Sequence, residues 1–283
     1  MVPLMTGASA FACVGDDKQL PATIISREAR VRGLDVSLFE RLLNQGVVAD
    51  GEGFVQLDIQ RRMHSSIAEF PARLFYHGRL ETGCRDSERP PIPGFNWGRS
   101  RVCFVDCGRG GEVQCGTSTK NDGEAEVLVR LLLHLLASSQ AKEKTPLGSR
   151  GVACITGYSA QRATIKELIK NYTPPRHPAR GVRVDTVDGF QGMERDLVLV
   201  SVTRSNSVGE VGFLRDPRRA NVLLTRARRG LVVFGDQRTL RQEENVWAPW
   251  LQWMEAQGGI MSAERLRAMV RGFPKDACEA LSF

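Results

Sequence analysis

The stretch "VDTVDGFQGMERDLVLVSVTRSN", residues 184–206, puts a short apolar run, a polar glycine-containing loop and a longer apolar run in succession. Apolar runs of this length, bounded by turn residues and rich in valine, read as strands buried on both faces. The loop "DGFQGMERD" leaves the carboxyl end of the first run, where ligands gather in open α/β sheets. Working outward, further strand candidates are "AFACVGD" (10–16), "GFVQLDI" (53–59), "RVCFVDC" (101–107), "GVACITGY" (151–158) and "GLVVFGD" (230–236). Helical patterns alternate with them, which predicts an α/β fold: a mainly parallel sheet with helices on both faces.

Three helices carry their own punctuation. One follows "TSTKNDGE" (117–124): Asn121 can cap it, Glu124 stands three residues on as in a capping box, and Leu128, Leu131, Leu132, Leu135 and Leu136 form one apolar stripe. A second, "SAQRATIKELIKNY", ends ahead of Pro174-Pro175. The third is opened by Asp216-Pro217 and closed by Gly230, which places Arg219 and Arg226, seven residues apart, on nearly one face.

The chain has 283 residues, 42% hydrophobic and 25% charged, enough for a proper core. Its net charge of +7 favours an anionic partner, nucleic acid or nucleotide. The seven cysteines contain no C-x-x-C pair, which suits reduced, mostly buried thiols and a cytoplasmic or nuclear setting. No apolar run approaches the roughly 20 residues of a membrane span, so no membrane partner is expected.

Several segments carry chemistry. "GDDKQLP" (15–21) reads as the end of a parallel strand entering a nucleotide site, yet the 283 residues contain no G-x-x-x-x-G-K-[ST]. In "LDIQRRMHSSIAEFPARLFYHGRLETG" (57–83), Arg61 and Arg62 follow a strand and precede a helix; they suit either an anion at a sheet edge or a solvated pair. "GFLRDPRRANVLLTRARRG" (212–230) is arginine-rich with no acidic residue inside its helix, and guanidinium forks suit phosphate.

The order "GDDKQLP", "QRRMH", "ITGYSAQ", "VDTVDGFQGMERD", "GFLRDPRRANVLLTRAR" resembles the superfamily 1B helicases, nearest to the RNA helicase of nonsense-mediated mRNA decay, over about residues 10–255. The resemblance implies a RecA-like P-loop NTPase fold, the second such domain of a helicase. Residues 1–30 are then a remnant of a first RecA-like domain, 31–245 the second domain and 246–283 a carboxyl-terminal helical tail. It also implies ATP with Mg²⁺ as cofactor, the metal ligands lying on the first domain. By this resemblance Gln19, with Asp16 beside it, senses the γ-phosphate, and Arg62 and Arg226 reach that phosphate. Gly192 and Glu194 contact the γ-phosphate and ribose side, and Thr156, Tyr158, Gln161, Asn221 and Thr225 meet nucleic acid. The implied partners are single-stranded RNA or DNA and a first RecA-like domain, in cis or in trans. An alternative is an ATPase-inactive protein binding nucleic acid or another partner. The sequence departs from the family pattern where Arg61 stands for a tyrosine that stacks on adenine and where Gly157 stands for a proline.

Overall fold

The structure is a computed structural model; it describes residues 7, 9–24, 26–46, 49–50, 53–108, 111–142 and 147–270. The chain divides into two compact units, Met1–Asp58 and Ile59–Phe283.

In the smaller unit two short helices, Arg27–Val31 and Leu38–Asn44, are capped by the hydroxyls of Ser26 and Ser37. The expected strand over residues 10–16 is not formed: its described residues are irregular, with Phe11 and Val14 exposed. A β ladder needs a partner, and none of the described residues pairs with this run. Expected strand 53–59 is likewise reduced to two-residue fragments, Gly53–Phe54 and Ile59–Gln60.

The larger unit is built on six strands: β1 (Val102–Asp106), β2 (Val152–Thr156), β3 (Arg183–Thr186), β4 (Arg195–Ser201), β5 (Ala227–Gly235) and β6 (Ile260–Ser262). All pair in parallel, in the order β6-β1-β5-β4-β2-β3. This is the parallel, helix-covered α/β architecture of a RecA-like domain. β6 lies inside the segment expected to be a helical tail; there a strand at the sheet edge separates two helices, and residues 271–283 lie outside the described ones.

Six of the helices among the described residues, a four-residue helix Gln237–Leu240 aside, are labelled in chain order: α1 (Ser65–Phe75), α2 (Asp122–Lys142), α3 (Ser159–Tyr172), α4 (Pro217–Leu224), α5 (Trp247–Ala256) and α6 (Ala263–Met269). Strand side chains alternate, so Cys103 and Val105 join α2, α3 and α6 in one core. Phe104 points to the opposite face, meeting Trp250 of α5 edge-on at 5.7 Å, while α1 and α4 pack together nearby. Burial on both faces is why the strands read as unbroken apolar runs.

Two local expectations are revised. The Asn121 side chain does accept the Glu124 N–H at 3.0 Å, but the reciprocal half of the capping box is absent. Gln161 Oε1 takes the Asn121 N–H instead, and the Glu124 carboxylate turns inward to Ser201 and Thr203. The helix opened by Asp216-Pro217 ends at Leu224 rather than near Gly230, with Thr225 as its carboxyl cap. Arg219 and Arg226 therefore share no helix face. The sheet decides this: Ala227 pairs with Arg195 and Gly230 with Leu197, drawing the chain into β5.

Gly230 is required there, because a Cβ would collide with the Trp97 ring. Gly230→Ala is expected to destabilise the protein by about 1–3 kcal/mol through overpacking. Thermal unfolding monitored by tryptophan fluorescence checks it, and an unchanged midpoint contradicts the contact.

Candidate functional site

Two polar clusters occupy opposite ends of the sheet. The first lies at the amino ends of β4 and β5. Gln60 organises its near side, its Oε1 accepting the Arg62 and Met63 N–H groups at 2.9 and 2.7 Å. The Arg89 guanidinium donates to the carbonyls of Arg62 and Arg61, and the His64 N–H donates to the Arg228 carbonyl. These bonds fix the backbone from which Arg62 projects.

Arg62 Nε donates to Glu194 Oε2 at 2.7 Å, and its Nη1 donates to the Thr225 carbonyl at 2.8 Å. Arg226 approaches the same residue from the other side, Nη2 donating to Thr225 Oγ1 at 2.8 Å and Nε to the Val222 carbonyl at 3.0 Å. Two guanidiniums thus meet on Thr225. Arg226 is 1% exposed, unusual for an arginine. Its charge sits against carbonyls of the last turn of α4, the negative end of the helix dipole.

Burial by itself raises the Glu194 pKa, but the hydrogen bond and charge of Arg62, helped by Arg228, outweigh it and hold the carboxyl below its usual range. Arg228 also binds Asp196 at 2.7 Å. Here the β4–β5 register shifts: the one residue between Arg195 and Leu197 opposes the two between Ala227 and Gly230. Such bulges redirect side chains beside working sites. Gly192 has φ +78° and open space where a side chain would stand, so backbone is accessible in the loop entering this cluster.

The loop 187–194 leaves β3 at the carboxyl edge and delivers Glu194 to the amino edge. The carboxyl-end rule for ligands therefore points to the wrong end of the sheet for this residue. Arg61, expected beside Arg62, is exposed. Asn221 and Thr225, expected on nucleic acid, are buried within the arginine cluster: Thr225 Oγ1 donates to the Asn221 carbonyl, and Asn221 Nδ2 donates to Tyr76 Oη at 3.0 Å.

The second cluster sits at the carboxyl edge. Thr156 Oγ1 and Thr203 Oγ1 lie 3.0 Å apart, both buried. Thr203 has φ +76°, a strained conformation for a β-branched residue, and its N–H donates to Glu124 at 2.8 Å. Gln161 is fully buried, its amide donating to the Asn121 carbonyl and to Ser201 Oγ. Tyr158 is 4% exposed, and its hydroxyl accepts from Arg204 Nη1 at 3.3 Å. A side chain at Gly157 would press on Leu214 at 3.3 Å, a close fit that glycine relieves. Glu124, read from sequence only as a capping residue, is a fully buried carboxyl whose pKa burial pushes up to about 8. Neither it nor Arg89, Arg204 or Thr203 had a distinguishing local signal, because each acts through partners distant in sequence.

In the smaller unit Gln19 Nε2 donates to Asp16 Oδ2 at 2.6 Å, closing the "GDDKQ" turn. The two residues named together from sequence are thus brought together.

The Arg62 guanidinium and an accessible glycine backbone, with the Arg226 charge buried against Thr225, suit an anionic polyphosphate such as ATP better than a neutral ligand. Residues 34–238 match the family model described as an AAA domain. The chain is 36% identical over 245 residues to the ATP-dependent helicase NAM7 of Saccharomyces cerevisiae, covering 85% of this chain and 24% of that protein. It is 35% identical over 252 residues to the Regulator of nonsense transcripts 1 homolog of Arabidopsis thaliana, covering 86% and 19%. A third relative, the putative ATP-dependent RNA helicase ECM32 of Saccharomyces cerevisiae, is 32% identical over 304 residues, covering 93% and 26%. The chain spans about a quarter or less of the length of these relatives.

Proposed function

The chain belongs to the AAA-domain family of Upf1-like superfamily 1B helicases, and from that membership we propose that it forms the carboxyl-terminal half of the two-domain core of an ATP-dependent RNA or DNA helicase. In this reading residues 31–245 hold most of the second RecA-like domain, β6 adds a strand to its sheet from beyond residue 245, and residues 1–30 carry the Asp16–Gln19 element of the first. The observation that carries the reading is the meeting of Arg62 and Arg226 on Thr225 at one sheet edge, with Glu194 paired to Arg62.

ATP supplies the phosphoanhydride whose cleavage drives the cycle, with Mg²⁺ held by the other RecA-like half. Arg62 and Arg226 would supply positive charge toward its terminal phosphate, where developing negative charge most needs a fixed guanidinium. Glu194 holds Arg62 oriented and would serve the ribose side, and Gly192 would offer backbone to the phosphates. In the smaller unit Gln19, tied to Asp16, is the candidate for orienting water. Thr156, Tyr158 and Gln161 support a single strand along the carboxyl edge, Gln161 by bracing the loop from inside the core. Separation of the two clusters by the sheet lets nucleotide and strand bind at once, which coupled translocation requires.

RNA is favoured over DNA because relatives named as regulators of nonsense transcripts and as an RNA helicase lie among the matches. None of the described helices is long and apolar enough to cross a membrane, and the unpaired described cysteines suit a cytoplasmic or nuclear setting.

Fluorescence anisotropy with a single-stranded RNA tests the strand half. The 283-residue protein is expected to bind with little sequence preference and with affinity that falls steeply as salt rises. Absence of binding at low salt rejects that half of the reading. Lacking a phosphate-loop sequence, the same preparation is expected to hydrolyse no ATP above a blank, and RNA-stimulated turnover by it refutes the division of the site.

A further inference from the structure

Phe213 is the one exposed aromatic side chain, 55% accessible, among the described residues of the larger unit. Single exposed apolar residues are ordinary on protein surfaces; the way this one is held is not. It lies on the short turn Gly212–Arg215, between a glycine with φ +57° and the fully buried Leu214. Trp247 Nε1 donates to the Leu214 carbonyl at 2.8 Å, tying the turn to α5. Gly212 cannot be enlarged, since a Cβ would strike Tyr158 Oη and Arg204 Nη1.

The ring itself belongs to a ladder. Arg204 lies over the Tyr158 ring at 6.0 Å, Tyr158 meets Phe213 at 5.7 Å with the planes tilted 47°, and Arg219 lies over Phe213 at 5.6 Å. Both terminal arginines are engaged by carboxylates. Arg204 pairs with Glu112 at 3.1 Å, and Arg219 pairs with Asp188 at 3.2 Å and Asp216 at 3.3 Å. Their charges are locally compensated, so they stiffen the ladder and leave little net charge to offer a phosphate. What the ladder presents to solvent is the exposed part of the Phe213 ring, held next to Tyr158 beyond the carboxyl end of β2.

We infer that Phe213 is a stacking platform for a nucleobase of a single strand lying along this edge. The inference rests on the strand-binding reading above and specifies its contact: a base face, independent of base identity, rather than a phosphate. A preformed ring costs little ordering entropy on binding, and base–aromatic stacking contributes about 1–3 kcal/mol per base. A fold-change of roughly 10 in affinity is the expected share of one such contact.

The test uses the 283-residue protein and a short single-stranded RNA carrying 2-aminopurine, whose fluorescence is quenched by stacking. Phe213→Leu keeps apolar bulk and removes the ring; at an exposed position it leaves the fold intact. It is expected to weaken binding about 10-fold and to abolish the protein-dependent quench, while Phe213→Trp preserves both. The salt dependence of affinity is expected to be the same in all three proteins, because no phosphate contact is removed. Equal affinity and equal quench in wild type and Phe213→Leu overturn the platform while leaving the strand reading standing. Failure of the wild type to bind the RNA removes both.

Discussion

Arg226→Ala is expected to lower kcat for ATP hydrolysis by about 10³-fold or more in the assembled two-domain enzyme, with far less change in ATP affinity. The expectation follows from where charge grows during phosphoryl transfer. A guanidinium that meets the terminal phosphate stabilises the transition state more than the ground state, so its loss appears in turnover. A second role is visible in the geometry, since Arg226 is 1% exposed and donates to the Val222 carbonyl and Thr225 hydroxyl. Removing it also strips the last turn of α4 of a buried cation, and some stability loss is expected. Two readouts separate the roles. Arg226→Lys keeps the charge but not the fork, so the catalytic role predicts a large kcat defect in a protein that unfolds near the wild-type midpoint. If Arg226→Ala remains folded and turns over ATP at the wild-type rate, Arg226 is a structural cation and leaves the catalytic list.

The second large effect concerns pH. Glu124 is fully buried, and desolvation pushes its pKa up to about 8, against hydrogen bonds from Ser201 and the Thr203 N–H that favour the charged form. The unfolded chain ionises this carboxyl near its ordinary value of about 4.3. Between these values the folded protein holds a proton that the unfolded chain has released. Its contribution to stability is complete below the unfolded pKa and is lost as pH rises toward 8, with a slope approaching about 1.4 kcal/mol per pH unit. Above that range both states are ionised and the loss levels off. Glu124→Gln, neutral at every pH, is expected to remove this slope. Denaturant unfolding at a series of pH values measures it, and a Gln variant that keeps the wild-type pH profile shows that another group is responsible. The same carboxyl supports Thr203 in its strained conformation, so the substitution also reports how firmly the carboxyl-edge cluster is held.

Much of the fold was legible from sequence because its signals are local. Valine-rich runs at 101–107, 151–158 and 196–204 became β1, β2 and β4, since strands covered on both faces need no alternation. Segment 159–172 became α3 as written, stopped ahead of two prolines. Signals failed where a distant partner overruled them. The run at 10–16 has strand composition but found no ladder, and the helix after Pro217 was cut short by pairing between Arg195 and Ala227. β6 was missed because three residues at a sheet edge carry too short a pattern to read.

For the candidate site, sequence determined which residue types stand in which order: a Gln-bearing turn, an arginine pair before a helix, a Gly-x-Glu loop and an arginine after a capped helix. Those are properties of neighbours along the chain. Only the tertiary structure decided that Arg62 meets Glu194 across 132 residues, that Asn221 and Thr225 are buried beside the arginine cluster, and that Glu124 turns inward. The reason is physical. Desolvation, charge pairing and helix-end dipoles act through space, and their strength is set by burial that no local run of residues specifies.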